Sequence, residues 1–67
     1  MPIVKVIEVL AESTKSWEDA AQSAVSEAAK TLHNIRSVWV KNLNAEVDSK
    51  GTITHWRLNV KISFEKD

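Results

Sequence analysis

Few residues in this sequence could take part in chemistry, and those few are scattered. His33 and His55 have no second histidine or carboxylate at a metal-ligand spacing, and the lack of cysteine removes thiolate nucleophiles, disulfides and thiolate-bound zinc. No serine, histidine and acid are spaced as in a catalytic triad, and Gly51, the single glycine, excludes a glycine-rich phosphate loop. We therefore expect neither an enzyme nor a resident metal site.

Four residues of the C-terminal half remain as candidates for binding a ligand: Ser37, Trp39, His55 and Arg57. Trp39 is a large aromatic residue on an otherwise polar strand face, which is typical of a subunit interface or of a stacking surface for a planar ligand. Incidental exposure is the third alternative. His55 and Arg57 share this outward face and could contact an anionic group such as a phosphate, although a solvated strand face has the same pattern.

Two predicted strands must position these candidates. The sequence from 52 to 65 alternates clearly, which predicts a strand whose inward residues are Trp56, Leu58, Val60, Ile62 and Phe64. The sequence from 36 to 47 predicts a second strand, but its apolar phase changes near residues 41–43. A β-bulge there would keep both halves of the strand on one face. Residues 48–51 predict the turn that joins the two strands.

The register of this hairpin also requires an inserted residue. Counting back from the turn places Leu43 opposite Trp56, whereas matching the inward residues farther on places Val40 opposite Leu58. These two registers differ by one residue, which a single bulge supplies.

The N-terminal half predicts one strand followed by one helix. Residues 3–10 are rich in β-branched side chains and are apolar on both faces, apart from Lys5 on one face and Glu8 on the other. One face is expected to meet the helix and the other a neighbouring subunit; a central strand with irregular alternation is the alternative.

The helix is predicted from Ser16 to about His33, because apolar residues recur there at spacings of three and four. Ser16 is the expected N-cap, with Asp19 at the acidic position of a capping box, and Asn34 is the expected stop. Most of the apolar stripe is alanine, so the sheet can approach the helix closely.

Together these elements predict one α+β domain, residues 1–67, of order β-α-β-β: a three-stranded antiparallel sheet packed on one helix. The net charge is zero and the basic residues form no stripe, so we expect no nucleic-acid partner. No apolar run is long enough for a membrane span and the N-terminus lacks a signal-peptide layout, so we expect a soluble, cytoplasmic protein. A chain of 67 residues is only marginally stable alone, which favours association with copies of itself.

The order, spacing and length of these elements resemble the dodecins, very short β-α-β-β chains that assemble as hollow shells of twelve subunits. The likeness is carried by residues 4–9 of the first strand, 16–21 at the helix entry and 60–64 of the last strand. It implies a non-catalytic homododecamer that stores or sequesters a flavin, FMN or riboflavin, between subunits.

The resemblance also implies where a flavin would bind. The family pairs a stacking tryptophan early in the second strand with a glutamine on the third, and these positions fall on Ser37 and Arg57 here. Trp39 would then stack on the flavin from a displaced position, and Ser37, His55 and Arg57 would make polar contacts. The alternative is a divergent dodecin without flavin, acting as a calcium-binding or purely structural assembly, with Glu8, Glu46, Asp48 and Glu65 as the candidate acids.

Overall fold

Three strands and one helix follow one another in the predicted order. In the computed structural model, which describes residues 3–66, the elements are β1 (Ile3–Ser13), α1 (Trp17–Ala28), β2 (Ile35–Val47) and β3 (Ile53–Lys66). The sheet is antiparallel with order β1-β3-β2, so the strand with the clearest alternation lies at its centre. The predicted fold class is confirmed. The predicted domain bounds include residues 1, 2 and 67, which lie outside the described residues.

The core lies where the alanine face of α1 meets the central strand. Leu58, Val60 and Ile62 of β3 are almost completely buried, and Ala20 and Ala24 of α1 pack against them. Because alanine carries only a methyl group, the helix can lie close to the sheet. We call this side of the sheet the inner face and the opposite side the outer face.

The start of α1 is held by side-chain hydrogen bonds. The Ser16 hydroxyl accepts a hydrogen bond from the Asp19 backbone N–H at 3.0 Å, which confirms Ser16 as the N-cap. The Asp19 carboxylate does not close a capping box; it accepts a hydrogen bond from the buried Ser13 hydroxyl at 2.6 Å. The Trp17 indole donates to the Asn44 carbonyl at 3.0 Å and so fastens the helix start to β2.

The helix is shorter than predicted, because it ends at Ala28 instead of about His33. The Ala28 carbonyl accepts hydrogen bonds from the backbone N–H groups of Thr31 and Leu32, which turns the chain toward β2. Asn34 does have a positive φ of 60°, but it stands at the entry to β2, where its carbonyl accepts a hydrogen bond from the Glu65 N–H at 3.0 Å. Its left-handed conformation therefore serves strand pairing and not the helix stop.

The predicted bulge is confirmed, with an extra residue at Lys41 between Val40 and Asn42. The predicted register is wrong by two residues, because Leu43 pairs with Leu58, and Val40 pairs with Val60. One residue of this difference arises at the turn, where Val47 pairs with Ile53 instead of Thr52, and the other from a further irregularity between Glu46 and Val47. A shift of two residues leaves every side chain on its predicted face, which is why alternation alone did not detect it.

Candidate functional site on the outer face of the sheet

All four predicted site residues belong to the outer face, but in two separate groups. Cross-strand partners share a face, and the ladder pairs Ser37 with Ser63 and Trp39 with Lys61 near one end. Toward the hairpin turn it pairs Arg57 with Asn44 and His55 with Glu46. Lys61 and Arg57 are four positions apart on β3, which is about 13 Å along the strand. A single chain therefore does not bring Trp39 and Arg57 to one ligand-sized site.

Trp39 is the most available of the four side chains. It is 54% exposed, and among residues 3–66 its ring has no hydrogen bond and no aromatic partner. The hydroxyl of nearby Ser37, in contrast, forms a hydrogen bond of 2.6 Å with the hydroxyl of buried Ser63. Trp39 therefore offers an exposed aromatic surface for stacking, and the neighbouring hydroxyls of Ser37 and Ser63 are already hydrogen-bonded to each other.

Arg57 is the centre of an ion-pair cluster that spans all three strands. Its Nε and Nη2 donate to one carboxylate oxygen of Glu12 on β1, at 3.0 and 2.6 Å, and Nη2 lies 3.3 Å from Glu46 on β2. The hydrogen bond from Arg57 holds the pKa of Glu12 below its ordinary value, and Glu12 in turn raises the pKa of Arg57. His55 joins the edge of this cluster, with Nδ1 3.8 Å from Glu46.

The sequence did not indicate the partners of Arg57. Glu12 and Glu46 lie far from it along the chain, and only the strand order and register bring the three together. Within the described part of the chain, only Nε and Nη2 of Arg57 donate to Glu12, so the N–H groups of its Nη1 remain available to a ligand.

A second ion pair crosses the middle of the outer face. The bulged Lys41 reaches over the central strand to Glu8 of β1, with Nζ 3.3 Å from the carboxylate. Hydrogen bonds from Asn59 and Lys41 lower the pKa of Glu8. The side-chain oxygen of Asn59 is buried there and has no hydrogen-bond partner within residues 3–66. Lys41 thus shares the outer face with Trp39, and the bulge changes the alternation of β2 only beyond it.

The four acids considered for calcium stand apart from one another. Glu8 pairs with Lys41, Glu46 with Arg57, and Glu65 with Arg36, whereas Asp48 accepts hydrogen bonds from two backbone N–H groups of the turn. Within the described part of the chain, no three histidine, aspartate or glutamate side chains are grouped closely enough to hold a metal ion.

Apolar side chains are exposed on both faces of the sheet. On the outer face they belong to the edge strand β1, where Leu10 is 72% exposed, together with Val4 and Val6. On the inner face they include Ile3 and Ile7 of β1 and Val40 and Leu43 of β2. Such patches are typical of surfaces that contact another protein. No helix among residues 3–66 is long and apolar enough to cross a membrane.

These features define a small protein in which one helix packs on the inner face of a three-stranded sheet. The strand that comes last in the β-α-β-β sequence is the central one, and the outer face is rich in ion pairs. The chain belongs to the dodecin family, because the family model Dodecin matches residues 3–67. A curated relative, the calcium dodecin of Mycobacterium tuberculosis, is 38% identical over 65 residues, which cover 97% of this chain and 90% of the relative.

Solved structures agree with this assignment. The crystal structure of the calcium dodecin from Mycobacterium tuberculosis has a TM-score of 0.83 at 35% identity, and covers 97% of this chain and 91% of that one. The dodecin of Streptomyces coelicolor has a TM-score of 0.92 at 24% identity, with 98% and 93% covered. A Thermus thermophilus dodecin variant reaches 0.92 at 22% identity, with 100% and 98% covered. The last two likenesses concern the fold alone.

Proposed function

We propose that this chain assembles with copies of itself into a non-catalytic, homododecameric dodecin shell that holds a small ligand between subunits. The observation that carries this proposal is the apolar surface left exposed on both faces of the sheet. The helix of 12 residues is about 18 Å long, whereas the molecule extends over 53 Å, so one helix cannot cover the sheet. Contact with further copies removes this surface from water.

The ligand proposed for this shell is a flavin, FMN or riboflavin, stacked on Trp39. The exposed ring supports this, because a tryptophan face offers a large planar surface for an aromatic ring system. Ser37, His55 and Arg57 would supply polar contacts. Since Arg57 lies about 13 Å along the sheet from Trp39, a flavin touching both would bridge residues of two subunits. Arg57 can only donate hydrogen bonds, so it would contact ring carbonyls or a phosphate.

Calcium is the second candidate, favoured by a specific observation. The relative that is 38% identical to this chain is named a calcium dodecin. The acids of the outer face are oxygen donors of the kind that calcium prefers. Glu8, Glu12 and Glu46 are each paired with a cation of the same chain. Calcium would have to replace these pairs or take its ligands from several subunits.

Mass measurement combined with absorbance tests the shell and the flavin together. Light scattering is expected to give a mass near twelve times 7.5 kDa, and added riboflavin or FMN is expected to lose its fluorescence on binding. Trp39→Leu should abolish this quenching, while Trp39→Phe retains a ring and should keep part of it. A monomeric mass would reject the assembly.

Thermal melts separate the two ligands. A ligand that binds only the native state raises the melting temperature. A rise with calcium chloride, together with no quenching of either flavin, would reject the flavin in favour of calcium.

A further inference from the structure

A cavity with a basic rim lies on the inner face, at the end of the sheet beyond the C-terminus of α1. It is an open depression with a volume of about 310 Å³, lined by the segment after the helix and by the ends of β1 and β3. We call it the basic pocket; the residues that line it are Lys5, Thr31, Leu32, His33, Phe64, Glu65 and Lys66. It is separate from the outer face, where the flavin or calcium of the proposed function would bind.

Two lysines interrupt the apolar pattern at this place. The ladder pairs Lys5 with Phe64 and Ile3 with Lys66, so both lysines share the inner face with Phe64. Elsewhere along β1 the inner face carries Ile7, Val9 and Ala11. Charged residues within an apolar pattern are expected where function overrides packing.

Neither lysine is neutralised within the described part of the chain. Among residues 3–66, the ammonium groups of Lys5 and Lys66 have no ion pair and no hydrogen bond. Within the described part of the chain, the acid that lines the pocket is Glu65, which binds Arg36 at 2.5 Å. Among residues 3–66, the pocket is therefore lined by two unpaired lysines and by one carboxylate that Arg36 already binds, with His33 as a further nitrogen donor.

We propose that the basic pocket binds a small phosphorylated molecule with an aromatic ring. The two ammonium groups would contact the phosphate oxygens through charge-assisted hydrogen bonds. The half-buried Phe64 and Leu32 give the pocket an apolar wall against which a planar ring can pack. The volume lies at the lower end of the range for small-molecule pockets, which fits a mononucleotide-sized compound and exceeds what a lone phosphate would fill.

Calorimetric titration of the assembled protein tests this site. Adenosine monophosphate is expected to bind, adenosine to bind far more weakly, and inorganic phosphate to bind more weakly than adenosine monophosphate. Lys5→Gln and Lys66→Gln should each weaken adenosine monophosphate binding by roughly three- to tenfold, which is the range for charged hydrogen bonds near a protein surface. Phe64→Leu should remove most of the advantage of adenosine monophosphate over phosphate.

The matched control is Lys50→Gln, since Lys50 is an exposed lysine of the hairpin turn, far from the pocket. It removes the same charge and should leave binding unchanged. Equal weakening by Lys50→Gln would show that net charge alone attracts the nucleotide and would overturn the proposal. Equal affinity for adenosine and adenosine monophosphate, or no binding of either at millimolar concentration, would also overturn it. Lys5→Arg keeps the charge and should keep binding, which separates loss of contact from loss of folding.

Discussion

Leu43 and Leu58 offer a matched pair of substitutions, because they lie directly opposite each other on the inner face and differ mainly in burial. Leu58 is 1% exposed beneath α1, whereas Leu43 is 57% exposed. We expect Leu58→Ala to lower the free energy of unfolding by about 2–5 kcal/mol, through lost apolar burial and the cavity left behind. In an isolated subunit, Leu43→Ala should cost about 1 kcal/mol or less, because it removes a side chain that is already half in water.

The proposed shell changes this expectation for Leu43 alone. If a neighbouring subunit covers the exposed part of Leu43, that contact contributes about 1–2 kcal/mol per subunit, and the loss is repeated at every copy. Leu43→Ala should therefore shift the assembly toward smaller species on dilution, and Leu43→Asp should do so more strongly because it places a charge in the contact.

Urea unfolding followed by circular dichroism, together with light scattering over a dilution series, measures both effects. An unchanged assembly mass for Leu43→Asp at every concentration would contradict the placing of Leu43 in a subunit contact. If both alanine variants lost the same unfolding free energy in a monomeric sample, the difference in burial between the two leucines would be refuted.

Substitutions at three further positions test local features, each measured at one fixed protein concentration because association shifts apparent stability. Ser16→Ala should lower the unfolding free energy by about 1 kcal/mol, and Ser16→Gly by only a few tenths; equal melting temperatures for Ser16→Ala and the parent chain would contradict the cap. Gly51→Ala should lower the unfolding free energy by about 1–2 kcal/mol, and the melting temperature by about 4–8 °C for each kcal/mol. The cause is backbone strain alone, because φ is +83° and no atom lies within 4 Å of an added Cβ. Since Arg57 lowers the pKa of folded Glu12 below the ordinary 4.5, this pair stabilises the fold above that pH and its contribution is lost as the pH falls through the lowered value. In urea unfolding between pH 6 and 3, the unfolding free energy of Glu12→Gln should therefore fall less steeply with decreasing pH than that of the parent chain. Equal slopes of unfolding free energy against pH for the two proteins would contradict this.

Local signals were sufficient for the type and order of the elements. The strict alternation of β3 placed its apolar residues on one face, and the phase change near Lys41 predicted the bulge that the structure contains. The Ser16 cap was also predictable, because a cap depends on residues within one turn of the helix.

These local signals did not predict contacts between residues that are far apart in the sequence. The helix ends at Ala28 because the chain must turn back to pair with β3, and nothing in its alanine-rich stripe marks that point. The hairpin register could slip by two residues without moving any side chain to the wrong face. The partners of Arg57 could not be predicted from the sequence either. Glu12 belongs to β1, and the sequence did not show that β1 pairs with β3.

The sequence by itself thus determined a β-α-β-β chain with an alanine-faced helix, and placed Trp39 on the outer face of the sheet, because period and capping are properties of neighbouring residues. Only the tertiary structure decided that β3 is central, that Arg57 is held by acids from both flanking strands, and that Lys5 and Lys66 line the same pocket as Phe64. The physical reason is that strand order and register follow from the packing of the whole sheet on its helix, and side chains far apart in sequence meet only once that packing exists.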